Sequence, residues 1–179
     1  MPRRGAILHV FIGAGFLAGA LSFASDLRPF IPSEPPTASE QNLAVVVNLS
    51  NPIENLSMAE LRNLFLGERS HWPNGRRITL VMMEPGQPER AAVLGLICQM
   101  NESDFKNHFL RGLFTGEVFV SPKTLATPVG VRKFVFNVPG AIGYLRATDV
   151  DASVKVIRVD ERLPEEKGYR LHIPPRPSK

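Results

Sequence analysis

Cysteine is almost absent: Cys98 is the only one in 179 residues. That excludes an internal disulfide framework and any multi-cysteine zinc or iron–sulfur site. Histidine is scarce too. His9 lies in the apolar N-terminal run, and His71, His108 and His172 form no ligand pair at helical or finger spacing, so these three read as surface side chains and no metal is expected. Long basic runs are missing. Arg76-Arg77 and the tail set Arg170, Arg176 and Lys179 are small spots, so no nucleic-acid partner is expected. Neither a G-x-S-x-G elbow nor a Walker loop occurs. The acids are scattered, with no two-carboxylate pair. No nucleophile–base pair can be assembled, so the reading is a non-catalytic protein without a cofactor. Cys98 borders an apolar helix face and reads as a small buried thiol. No internal repeat is found.

What is present is globular in composition. Hydrophobic residues make up 44% and charged residues 21%, and the length suits one ordinary domain. The chain opens on Arg3 and Arg4, followed by an almost wholly apolar run from Gly5 to Ala24. This is the pattern of a secretory signal, with small residues in Ser22-Phe23-Ala24 placing cleavage after Ala24. The alternative is an uncleaved membrane anchor over residues 5–24, since about 20 apolar residues reach across a bilayer. His9 and the glycines of the run weaken it as a span. No cysteine follows, which excludes a lipoprotein anchor. Residues 1–24 hold two arginines and no acid, so without them the formal charge of +4 becomes +2. Residues 25–42, with Pro29, Pro32, Pro35 and Pro36, have linker composition. The folded domain is expected over 43–172 and a flexible tail over 173–179.

Within the domain, strand and helix signals alternate. Leu43–Val47 reads as a strand buried on both faces. Ser57-Met58-Ala59-Glu60 is a capping box, opening a helix with Met58, Leu61 and Phe65 inward and Gly67 as its stop. Ile78–Met83 reads as a second buried strand. The next helix places Ala92, Val93, Leu96, Ile97 and Met100 on one face. Asn101 or Ser103 caps a third helix, with Phe105, Phe109 and Leu113 inward. Thr127-Pro128 starts a fourth, with Val131, Phe134, Val135 and Val138 in a stripe. Ala141–Leu145 and Val154–Val159 are strand candidates. The alternation predicts an α/β domain, a mainly parallel sheet with flanking helices.

The best candidate site is the loop from Glu84 to Arg90. It joins the carboxyl end of a predicted parallel strand to a helix N-terminus, where ligands of open α/β sheets bind and where free amides favour an anion. Glu84, Gly86, Gln87 and Arg90 are the expected ligand-binding residues. Glu84 and Glu89 oppose an anion there. Trp72, in a proline-flanked loop, is expected to contact a partner or to cover the sheet edge.

Four segments form an ordered set: Val45-Val46-Val47-Asn48, Glu60-Leu61-Arg62-Asn63-Leu64-Phe65-Leu66-Gly67, Trp72-Pro73-Asn74-Gly75, and Pro139-Gly140-Ala141-Ile142-Gly143-Tyr144-Leu145. The set resembles the phosphate-type periplasmic substrate-binding proteins of ABC transporters, from about Leu43 to Leu145. The resemblance implies one lobe of a type II periplasmic-binding-protein-like fold, a periplasmic location, and binding of a small anion such as phosphate in concert with a membrane transporter. Full members clamp their anion between two lobes, and this chain is long enough for little more than one. The family places an Arg-x-x-x-Ser-Gly-Thr-like stretch after the strand matching Ile78–Met83. Here that stretch is Met82-Met83-Glu84-Pro85-Gly86-Gln87-Pro88, leaving Gly86 and Arg90 as stand-ins. The expected function is therefore weak anion binding. The alternative is a module that kept the lobe, lost the ligand and recognises another envelope protein.

Overall fold

The computed structural model describes residues 41–173. The expected signal or anchor, residues 25–40 of the linker and the tail from 174 onward lie outside the described residues. Gln41, Asn42 and Ile173 join the folded body: the Ile173 N–H donates to the Gln41 carbonyl at 2.6 Å, and Asn42 and Ile173 are buried.

The central sheet is built from β1 (Leu43–Val47), β3 (Thr79–Met83), β4 (Lys123–Leu125), β5 (Ala141–Arg146) and β6 (Lys155–Val156), in the order β4-β3-β5-β1-β6. β3 pairs in parallel with β4 and β5, while β1 runs antiparallel to β5 and β6. Four of the five strands therefore point the same way, and β1 is the reversed one. All five residues of β1 are buried. Side chains of a strand alternate between faces, so continuous burial means that both faces of the sheet are covered there. A separate small parallel pair joins β2 (Asn55–Leu56) to β7 (Arg158–Val159). The expected strand over Val154–Val159 thus splits between two sheets. β2 falls within a stretch that reads as loop, and β4 lacks a buried run to announce it.

Local signals place the helices. Helix α1 (Met58–Phe65) starts at the Ser57–Glu60 capping box, present in both directions. Gly67 follows it at φ 74°. Leu61, Leu64 and Phe65 face the core. Helix α2 (Pro88–Val93) runs into a π-helical turn over Leu94–Cys98. That turn winds more residues per revolution than an α-helix, so it rotates the apolar stripe: Leu94 is buried and Leu96 is exposed, the reverse of an unbroken helix. Helix α3 (Glu102–Thr115) is capped by Asn101, and α4 (Pro128–Asn137) by Thr127. In α3, Phe105 and Phe109 face inward as expected, but Leu113 is exposed. Gly112 takes the inward place, where a Cβ would meet Val118 at 2.3 Å. Helix α4 packs on β5, β3 and β1 through Val131 and Val135, with Phe134 and Val138 half-buried. Among the described residues, no helix is long and apolar enough to cross a membrane.

Candidate functional site

The carboxyl ends of β3, β4 and β5 lie side by side. They lead into the Glu84–Gln87 turn, the Thr127 cap of α4, and the short 3₁₀ turn Ala147–Asp149. Two hydrogen bonds from backbone amides hold this edge. The Met83 N–H donates to the Tyr144 Oη at 3.0 Å, and the Glu84 N–H donates to the Leu125 carbonyl at 3.1 Å. Burial pushes the Tyr144 phenol well above its usual range, and the Met83 bond offsets part of that rise. Tyr144 is therefore a neutral brace beneath the loop.

Glu84 and Gly86 are exposed and Gln87 is half-buried. Gly86 has φ 89°, a left-handed conformation that suits glycine. Gln87 is the N-cap of α2 and caps no amide with its side chain. Gly86 and Gln87 border an open groove of about 310 Å³, whose other wall includes Leu94, Met100, Asn101 and Glu102.

Arg90 does not join Gly86 and Gln87 in this groove. Its side chain is 7% exposed, and each of its three guanidinium nitrogens donates a hydrogen bond. Nη1 donates to the Met83 carbonyl at 2.8 Å, while Nε and Nη2 fork onto the Glu102 carboxylate at 2.8 and 2.7 Å. The guanidinium also lies 5.4 Å from the Phe105 ring centroid. Such a fork is the strong geometry for a guanidinium and a carboxylate. Arg90 thus ties the strand-end turn to α3, with Glu102 in the position an anionic ligand of this arginine would take. Glu102 lines the groove beside Gly86 and also a neighbouring hollow of about 200 Å³ that Arg90 borders.

Glu89 is buried and paired with the Arg146 guanidinium at the end of β5. Its charge is matched within the fold, so of the two acids expected to oppose an anion, Glu84 is the one left facing solvent. Sequence reasoning missed Glu102 and Arg146. Neither carries a local motif, and each meets its partner only through the tertiary fold.

The remaining candidates are structural. Trp72 is 2% exposed and its Nε1 donates to the Gly140 carbonyl at 3.0 Å, which corrects the expectation of a partner contact. Cys98 is buried, as expected, and burial pushes its thiol up to about 12. His71 and His172 are exposed, and His108 is half-buried against the Leu66 carbonyl at 2.9 Å. Among the described residues no cluster of histidine, cysteine and acids is placed to hold a metal.

No family model matches the chain. Solved structures do resemble it. An ABC-type phosphate transport receptor from Vibrio cholerae matches at TM-score 0.54 with 21% identity, over 69% of this chain and 48% of the receptor. A protein from Clostridium perfringens, assigned as a phosphate ABC transporter substrate-binding protein and crystallised with phosphate, matches at 0.56 with 20% identity, over 68% and 46%. PstS from Borrelia burgdorferi matches at 0.59 with 12% identity, over 74% and 55%. The chain spans about half the length of these proteins. At such identities the likeness shows the fold alone: an α/β lobe like that found in these proteins.

Proposed function

We propose that this chain is an exported, non-catalytic binding protein whose strand-end face has at most weak affinity for small anions such as phosphate. The observation that carries the reading is the fold match to phosphate-transport proteins, combined with a strand-end loop that keeps the topology but few of the donors. Glu84, Gly86 and Gln87 form the accessible rim, and Arg90 stands behind it, neutralised by Glu102. The Gly86 amide is the anion donor this rim offers, since the Gln87 N–H donates to the Glu84 carbonyl at 3.4 Å, and one short helix start contributes only about 0.3–1 kcal/mol toward an anion. In this reading residues 1–24 are the export signal, residues 25–40 a spacer, and 41–173 the binding domain. An uncleaved anchor over residues 5–24 would instead hold the domain at the membrane.

The Arg90–Glu102 pair favours a second reading, in which the lobe has lost its ligand and serves as an interaction module for a transporter or another envelope protein. Calorimetric titration with inorganic phosphate at low salt separates the two. Saturable binding in the millimolar range supports weak anion recognition. No heat and no shift in melting temperature at tens of millimolar phosphate supports the module. A micromolar dissociation constant overturns both and makes this a full phosphate carrier.

A further inference from the structure

We propose that Arg90, Lys106 and Ser121 form an oxyanion site, separate from the Gly86 turn, which Glu102 occupies as a tethered competitor, so that a free anion binds there by displacing the Glu102 carboxylate. The hollow of about 200 Å³ beside α3 brings these three donors together with the apolar side chains of Phe105, Phe109 and Pro122, and Glu102 is the one acid in its lining. Lys106 and Ser121 are exposed. Lys106 makes no ion pair among the described residues, so a second cation stands beside the Arg90 guanidinium with its charge unmatched.

The geometry separates what holds Arg90 in place from what occupies it. The Nη1 bond to the Met83 carbonyl at 2.8 Å and the Phe105 ring at 5.4 Å position the guanidinium without Glu102. The Glu102 side chain is 45% exposed, against 7% for Arg90, so its carboxylate turns out to water without a shift of backbone. Nε and Nη2 then keep their direction and present a preformed fork. Carboxylates and phosphates carry paired oxygens that match such a fork, which sets the ligand class. Glu102 is also the first residue of the 14-residue helix α3, where the helix dipole favours negative charge, and the same field acts on an anion in its place. A competitor on the same chain acts at an effective concentration of roughly millimolar or more. A free anion must approach that concentration to displace it, so the wild-type chain holds the site nearly closed. Gly86 lines the other groove and not this hollow, so the two sites are separable by mutation.

Titration calorimetry of the full chain with inorganic phosphate at low salt tests the proposal. Glu102→Ala should bind phosphate about ten- to hundredfold tighter than wild type, the worth of a charged fork no longer contested. Arg90→Lys added to Glu102→Ala should remove most of that gain, because an ammonium keeps the charge and loses the fork. Lys106→Gln added to Glu102→Ala should weaken binding about threefold. Asp104→Asn removes a unit charge from the same turn of α3 and leaves the fork intact, so it should change affinity by less than about threefold. Circular dichroism reports whether each variant folds. Should Glu102→Ala not fold, Glu102→Gln keeps an acceptor oxygen and takes its place, with a gain of about three- to tenfold expected. Wild-type affinity in the folded Glu102 variant overturns the proposal. So does a gain that survives Arg90→Lys, or one that Asp104→Asn matches. A gain indifferent to Lys106→Gln overturns the hollow as its location. A wild-type chain that binds no phosphate counts against the Gly86 turn, while the Glu102 variant still decides this site.

Discussion

The indole of Trp72 donates its Nε1–H to the carbonyl of Gly140, 68 residues away in sequence. That carbonyl also accepts from the Thr79 N–H at 3.0 Å. One acceptor thus secures the loop before β3 and the start of the β3–β5 pairing. Gly140 has no freedom to change, because a Cβ there would meet the Arg77 carbonyl oxygen at 2.0 Å. Trp72→Phe should cost about 1–2 kcal/mol, the value of a buried hydrogen bond and some packing. Gly140→Ala should cost more, about 3 kcal/mol, because backbone must shift to admit it. Urea unfolding measures both, and the order of the two effects is the test.

The Arg90–Glu102 fork has a different signature. Arg90→Met leaves the Met83 carbonyl and the Glu102 carboxylate without their donor. Removing one member of a well-buried pair costs about 3–5 kcal/mol. Glu102 is 45% exposed on its side chain, so water relieves part of that, and about 2–3 kcal/mol is expected. Glu102→Gln keeps an acceptor oxygen and should cost about 1 kcal/mol. Equal losses for the two variants in denaturant titrations would mean that Arg90 is held mainly by Glu102 and not by Met83 and Phe105.

Signals that act within one turn of chain were legible in the sequence. Ser57–Glu60, Thr127-Pro128 and Asn101 all cap where their residue types require, because a cap is satisfied by amides two or three residues away. Signals that depend on distant chain were not. Leu96 faces out because the turn over Leu94–Cys98 is π-helical, and Leu113 faces out because Val118 folds back onto Gly112. The reversal of β1 leaves no trace in its own apolar run, since a strand buried on both faces reads alike in either direction. The candidate loop was found where strand meets helix. Its charge balance was invisible, because Glu102 and Arg146 lie 12 and 57 residues from the side chains they neutralise.

Helix α4 offers a direct contrast between adjacent residues. Val135 is fully buried and Phe136 is 51% exposed. Val135→Ala should destabilise by about 1–2.5 kcal/mol, and Phe136→Ala by no more than about 0.5 kcal/mol. Thermal unfolding of both variants checks the orientation of the helix on the sheet. A larger loss at Phe136 would require the helix to be rotated.

Burial of Cys98 makes a prediction in alkali. Its folded thiol titrates near 12 against an ordinary value of 9.0, because burial penalises the thiolate. Between those values the unfolded chain has released a proton that the folded chain retains. Stability conferred by this group is complete below pH 9 and falls as pH rises toward 12, at up to about 1.4 kcal/mol per pH unit. Tyr144 and Tyr169, also raised by burial, add to the fall. Cys98→Ala should therefore flatten the wild-type slope without abolishing it. An identical slope in the two proteins would place the thiol in contact with water.

Glu84 is the acid that faces solvent at the strand-end loop, and its charge limits any anion bound at the Gly86 turn. Across about 8 Å of water, two unit charges interact by about 0.5 kcal/mol. Glu84→Lys reverses the sign, so the change is twice that for a singly charged phosphate and four times for a doubly charged one. Affinity should rise about five- to thirtyfold at low salt, and the gain should shrink as ionic strength rises through the physiological range. Glu89→Gln should not mimic it. Glu89 is buried and paired with Arg146, so its substitution removes a buried ion pair and costs stability instead. Phosphate titrations of the two variants at two salt concentrations distinguish a site at the Gly86 turn from one elsewhere on the lobe. Unchanged affinity in Glu84→Lys at low salt would move the anion away from this loop altogether.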